Sequence, residues 1–309
     1  MSAAIMVPLL VTATTSATPL LLAALGELVA ERAGVLNLGV EGMMLTGAVC
    51  AFAVMSLTGS HWLGVAAGAL AGAVLSLLFG VLTLTLASNQ VATGLALTIF
   101  GSGLSTLLGA GFTGRTVPPL PRLDLPGLSS IPVLGPLLLR QDALVYFAVA
   151  MTVFLSWMLR RTRAGMVLRA VGDSDSSAYA IGYDVIGIRY LAVLFGGAMS
   201  GLAGAYLSLA YTPLWAEGMT AGRGWIALAL VVFGAWRPWR VLGGAFLFGA
   251  ISVLQLYGQG SALIRVPTQL LAMIPYLATI LVLVLISSGS VRRRLQAPAC
   301  LGKPFRATS

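Results

Sequence analysis

Residues equipped for covalent or acid–base chemistry are scarce in this chain. Its 309 residues include one histidine, His61, one lysine, Lys303, two cysteines, Cys50 and Cys300, and nine acids. A Walker-type phosphate loop needs a lysine followed by Ser or Thr, and Lys303 is followed by Pro304. The same lysine, close to the C-terminus, cannot form a Schiff base inside a helix bundle. A single histidine excludes the paired-histidine zinc motifs. Cys50 lies in an apolar run and Cys300 in the tail, which gives neither metal spacing nor a disulfide framework. Cys50 reads as a small buried hydrophobe. The sequence therefore points to no catalytic residue, no metal site and no cofactor.

Polar residues gather in three stretches. The first runs from Glu27 through Glu31, Arg32, Gly34, Asn37, Gly39 and Glu41 to Gly42. Alternating glycines and a lone Asn suit a broken helix entering a bilayer, whose exposed backbone groups must line a cavity or be buried in protein. Asn37, Glu41 and Gly42 are then candidates for a translocation path or for holding a helix break. The other reading is a polar turn in which Arg32 pairs with Glu27 or Glu31.

The second stretch runs from Arg160 to Asp184 and contains Arg163, Gly165, Arg169, Gly172 and Asp173. Met166, Leu168 and Val171 form a short apolar patch, Gly172 ends that helix, and Asp173 or Ser174 caps the next. Gly182 sits at a helix C-terminus, and Asp184 caps the following span. Two short amphipathic helices of this kind suit docking of a partner protein. A basic loop resting on anionic headgroups fits equally well. The third stretch, Gly222 to Arg240, is an apolar run bracketed by Trp225 and Trp236, residues favoured at membrane interfaces, with a tight turn at Arg237-Pro238-Trp239-Arg240.

The elements that carry these stretches follow from composition. Hydrophobic residues make up 58% of the chain and charged residues 9%, with a mean hydropathy of +0.97. A soluble domain carries roughly 25% charged residues, so this surface meets lipid. The 37 glycines suit close helix–helix approach there. Apolar stretches near 4–25, 38–57, 63–87, 91–110, 142–159, 190–212, 224–236, 241–258 and 267–288 predict an all-α, polytopic transmembrane bundle of about nine spans, eight to ten. The 224–236 run is short and would be tilted, extended or partly re-entrant. No basic n-region precedes the first stretch, so it reads as a retained helix.

Lys and Arg set the orientation. Thirteen of them fall in loops on one side, at Arg32, at 160–189, at Arg237 and Arg240, and in the tail; five fall opposite. The first side is expected in the cytoplasm, with the C-terminus inside and the N-terminus outside. The chain then reads as one transmembrane domain over 1–309, with an external loop at 112–141, a cytoplasmic loop at 160–189 and a basic tail at 289–309. The +9 net charge needs no nucleic-acid partner and suits anionic membrane lipids. All nine acids fall at span ends or in loops, which argues against a proton- or sodium-coupled carrier, whose spans usually hold a carboxylate. The energy for transport is expected from another chain.

At these three stretches the chain resembles the permease subunits of bacterial ABC importers for branched-chain amino acids, ribose-type sugars and nucleosides. Glu31-Arg32-Ala-Gly-Val-Leu-Asn37-Leu-Gly-Val-Glu41-Gly-Met is similar to the family's early ER-x-GV-x-N-x-G-x-EG-M pattern. Thr162-Arg163-Ala-Gly165-Met-Val-Leu-Arg169-Ala-Val-Gly172 resembles its coupling segment, T-x-x-G-x-x-L-R-A-V-G. Gly224 to Pro238 resembles the branch for nucleosides and simple sugars. The resemblance implies a non-enzymatic inner-membrane subunit, an ABC ATPase partner, a second related permease and an extracytoplasmic substrate-binding protein. It implies that Arg163, Gly165, Arg169, Gly172 and Asp173 shape an ATPase-coupling helix, and that Asn37, Glu41 and Gly42 lie at a helix break near the path. Asp173-Ser174-Asp175-Ser176 stands where the family commonly has Glu-Asn. A branched-chain amino acid importer and a stand-alone channel or facilitator are the competing readings.

Overall fold

The computed structural model describes residues 3–123, 140–260, 267, 270–271, 273–287 and 297–305. Pro126, Pro132 and Pro136 of the expected external loop, Arg265, Arg292 to Arg294 and Arg306 lie outside the described residues. The elements are α1 (Ala3–Arg32), α2 (Val40–Thr58), α3 (His61–Gly80), α4 (Gln90–Gly109), α5 (Ala143–Arg161), α6 (Arg163–Asp173), α7 (Asp175–Ala180), α8 (Val185–Tyr206), α9 (Arg223–Phe233), α10 (Pro238–Gly260) and α11 (Ile274–Ser287). Extended pairing among the described residues is limited to isolated bridges at Thr116–Leu214 and Arg122–Asp142. Among the described residues, seven helices are long and apolar enough to cross a membrane. With the shorter α9 and α11, every apolar stretch of the sequence carries a helix.

Helix α1 is the axis of the bundle. Leu20, Leu22, Leu25 and Leu28 are almost wholly buried, and α8, α9, α10 and α5 pack around them. Ala and Leu make this possible: an all-round apolar helix with no polar face is stable only inside protein or lipid.

Helices α2, α3 and α8 meet backbone to backbone. A Cβ on Gly204 of α8 would stand 1.9 Å from the Met44 carbonyl oxygen of α2, and one on Gly72 of α3 would stand 2.2 Å from that of Gly197. No residue but glycine fits at these two crossings. Lipid gives no hydrophobic drive for helices to associate, so such close van der Waals contact is what holds them. Helices α3 and α8 end in π-turns, Val81–Thr85 and Leu207–Tyr211.

Helix α9 has 11 residues, hence a length of about 16 Å, half of a hydrocarbon core of about 30 Å. It cannot span. Left-handed Gly222 starts it (φ 77°), and left-handed Ala235 and Trp236 (φ 50° and 54°) turn the chain into α10.

Helices α6 and α7 form a side structure at the Arg32 end of α1. Thr162 closes α5 and opens α6: its hydroxyl donates to the Met158 carbonyl at 2.8 Å and accepts the Gly165 amide at 3.1 Å. Ser174 caps α7 and Asp184 caps α8, as the sequence allows. Gly172 does not end α6, contrary to expectation; α6 runs on to Asp173. The reason for the glycine is packing, since a Cβ there would lie 2.1 Å from the Arg32 carbonyl oxygen.

Candidate functional site

The segment between α1 and α2 folds back into the bundle, and buried acids hold it there. The Glu27 carboxylate accepts the Asn37 amide at 3.0 Å, and Asn37 Oδ1 accepts the Gly39 amide at 2.9 Å. Gln90 of α4 accepts the Leu36 amide at 2.8 Å, and Thr98 donates to the Leu38 carbonyl at 2.9 Å. The backbone groups freed by the break are thus paired internally, as burial away from water demands.

Glu41, in the first turn of α2, ties this break to a second one. Its carboxylate accepts the Thr220 hydroxyl at 2.5 Å, the Gly222 amide at 2.8 Å and the Gly224 amide at 2.6 Å. The positive end of the α9 dipole and its free N–H groups therefore meet a buried anion. Three charge-assisted hydrogen bonds in a dry setting make this a strong polar joint in the bundle interior. At the other end of α9, the Trp236 indole donates to the Glu31 carboxylate at 2.5 Å, and Arg32 donates to the Trp236 carbonyl at 3.1 Å. Glu31 and Glu41 thus hold opposite ends of one half-helix.

One sequence expectation is extended here and one changes. Glu27, Glu31 and Glu41 stand at the ends of α1 and α2, as expected, and are buried among the helices, because each satisfies backbone or indole donors that a broken helix leaves free. Trp236 is a buried partner of Glu31 rather than an interfacial anchor.

The residues expected to form a coupling helix fall on α6. Arg163 and Asp173 are exposed, Arg169 is half-buried, and Gly165 and Gly172 are buried. A Cβ on Gly165 would lie 2.1 Å from the Met158 carbonyl oxygen, which folds α6 back on α5. Asn37, Glu41 and Gly42 form a separate, interior group. Gly42 faces α4, where its missing side chain admits the Leu97 carbonyl.

Arg189 joins the two groups. This fully buried side chain donates through Nε to the Ala33 carbonyl at 3.0 Å and pairs with Asp175 of α7 at 3.1 Å. The C-terminal segment closes over it: the Cys300 amide donates to the Gly172 carbonyl at 2.9 Å, and the Phe305 ring lies 5.9 Å from the Arg189 guanidinium. From the sequence, Arg189 is only one of the basic residues that mark sidedness. A capped helix start with Arg four residues on, inside an apolar run, was the available signal.

The outward face of α4 also carries hydroxyl groups. Thr98, Ser102, Gly103 and Thr106 line a groove of about 730 Å³ with Glu217, whose carboxylate accepts the Thr106 hydroxyl at 3.2 Å.

Comparison with known proteins fits this architecture. Residues 9–286 match the family described as "Branched-chain amino acid transport system / permease component". The ABC transporter permease protein TsgC13 of Haloferax volcanii, named for glucose, is 43% identical over 93% of each chain. The guanosine ABC transporter permease protein NupQ of Bacillus subtilis is 32% identical over 94% of this chain and 93% of its own. The nucleoside ABC transporter permease protein NupC of Lactococcus lactis is 33% identical over 87% and 88%. A solved inward-facing ABC transporter, described as of metal-chelate type, superposes with a TM-score of 0.51 at 16% identity, covering 90% of this chain and 85% of that one, and so shares the fold. The chain belongs to the branched-chain amino acid transport system permease family and is a multi-pass membrane transport subunit rather than an enzyme.

Proposed function

We propose that this chain forms the translocation path of an ATP-driven importer for nucleosides or related simple sugars. A separate ABC ATPase supplies the energy, an extracytoplasmic binding protein delivers the substrate, and a second, related permease completes the path. The observation that carries this reading is the contact of α6 with the end of α1 through Gly172 and Arg32. It puts a helix lying outside the bundle in direct touch with the segment that leads to Glu41 and α9. A push on α6 is then felt at both helix breaks.

The substrate class rests on relatives named for guanosine, nucleosides and glucose, all rich in hydroxyl groups. The α4 groove suits such molecules, with three hydroxyl side chains and one carboxylate. In this reading Arg163, Gly165, Arg169, Gly172 and Asp173 dock the ATPase. The Arg32, Arg160 and Arg237 end lies in the cytoplasm of a cell with this chain in its plasma membrane, by the excess of thirteen basic residues over five. The N-terminus is outside and the C-terminus inside.

The test is uptake of labelled guanosine and of labelled glucose by cells expressing the chain with its co-encoded partners. Saturable uptake of one, abolished when the ATPase is inactivated, is expected. Uptake that persists without ATP turnover would instead identify a facilitator.

A further inference from the structure

A cavity of about 700 Å³ opens where the ends of α1, α5 and α6 meet the turn into α10. Its charged lining is Arg32, Arg160, Arg169, Arg237 and Asp173. Four guanidinium groups thus face one carboxylate, and among the described residues none of the four forms an ion pair. Two are held in place by backbone: Arg32 donates to the Trp236 carbonyl and Arg169 to that of Gly165. The Arg160 and Arg237 side chains make no hydrogen bond among the described residues, although they line the same cavity. Like charges converging from four elements repel one another. A solvated basic edge would splay them apart, whereas here they line a single concavity.

We propose that this cavity binds a phosphate-bearing anion, either the headgroup of an anionic lipid or a soluble phosphate. Guanidinium forks match phosphate oxygens two at a time, and basic pockets between helices near the cytoplasmic surface suit phosphate headgroups. Trp157 of α5 and Trp239 of α10, next in sequence to the lining residues Ser156 and Pro238, are both about half exposed and suit the depth of lipid headgroups. A bound phosphate joins Arg169 of α6 to Arg32 of α1, Arg160 of α5 and Arg237, and so fastens α6 to the bundle. The proposal stands on the cavity and not on the identity of the transported substrate.

The test uses the purified full chain in phosphatidylcholine nanodiscs and reads the thermal unfolding midpoint. One arm adds inorganic phosphate at constant ionic strength; the other replaces part of the phosphatidylcholine with phosphatidylglycerol. The variant is R160Q/R237Q, both positions exposed, so its midpoint without anion stays at the wild-type value. The control is R161Q, exposed and outside the cavity. A saturable rise is expected in one arm for wild type and control, with binding weakened at least about tenfold in the double variant, the loss expected when charge-assisted hydrogen bonds go. A rise with inorganic phosphate assigns a soluble ligand, and a rise only with phosphatidylglycerol assigns a lipid. No rise in either arm overturns the proposal, as it would if the cavity took an acidic side chain of a partner subunit. An equal rise in wild type, double variant and control overturns it as well.

Discussion

Glu41 and Gly224 stand 183 positions apart, and the carboxylate of the first accepts the amide of the second at 2.6 Å. That bond makes α9 part of the α2 break rather than an independent short helix. Everything that moves α2 at its first turn also moves the buried end of α9.

Removing the acceptor should therefore be costly. Glu41→Ala leaves the Gly222 and Gly224 amides and the Thr220 hydroxyl without their shared partner. We expect a loss of about 3 kcal/mol or more, since buried hydrogen bonds to a charged group contribute roughly 1.5–3 kcal/mol each. Glu41→Gln keeps a neutral acceptor and should fall between. Thermal unfolding of the three proteins in one detergent decides this; an unchanged midpoint for the alanine variant would refute the capping role.

Glycine crossings give a second, sharply graded prediction. Gly204→Ala drives a methyl into the Met44 carbonyl, and helix separation of this kind costs about 1–3 kcal/mol. Gly243, on α10, has open space around it. Gly243→Ala should be neutral or stabilise by up to about 1 kcal/mol through helix propensity. Equal midpoints for the two variants would show that the backbone contact between α2 and α8 does not hold the bundle.

Arg189 tests the link between α7 and the start of the break. Arg189→Met leaves the Ala33 carbonyl and the Asp175 carboxylate without this donor. In a double-mutant cycle with Asp175→Asn, a coupling energy on the order of 1–2 kcal/mol is expected for a pair in direct contact whose arginine is buried. Additive effects on unfolding would show that the pair is incidental.

Asp142, which caps α5 just outside its membrane segment, has a pH signature. Burial pushes its carboxyl above the ordinary Asp value, although the Leu144 and Val145 amides donating to it act the other way. A raised folded-state value means that its contribution is full below the ordinary Asp value and is lost as pH rises through the folded one. Asp142→Asn keeps the cap acceptor and cannot ionise. Its unfolding midpoint should exceed that of wild type at neutral pH, and the gap should close towards about pH 4, near the ordinary Asp value. A constant gap would contradict the burial argument.

The apolar stretches and local caps were legible because each is a short-range pattern. A run of apolar residues near bilayer length, Ser174 before a helix and Asp184 before α8 all act within a few residues of themselves. Glu41, Arg189 and Trp236 were not legible in the same way. Glu41 bonds residues 179 to 183 positions away, Arg189 reaches Ala33 across 156 positions and Trp236 reaches Glu31 across 205, and no local period encodes such pairings. Gly172 was misread for a related reason. A glycine near a helix end signals a stop locally, whereas this one admits the Arg32 carbonyl from a distant helix. The acids stand at helix ends, as the sequence implies, and are buried because both breaks fold inward, carrying Glu41 and the Asn37 segment into the bundle.

The most direct test of the account compares ATP hydrolysis with uptake in proteoliposomes holding the chain and its partner subunits, wild type against Arg169→Glu. Arg169 sits on α6, half-buried, and donates to the Gly165 carbonyl. Reversing its charge is predicted to leave membrane insertion and basal hydrolysis in place while uptake per ATP falls by about tenfold or more, the change that 1.4 kcal/mol of lost coupling produces. Uptake per ATP equal to wild type in that variant would contradict the claim that α6 carries the motion of an ATPase into the helix breaks.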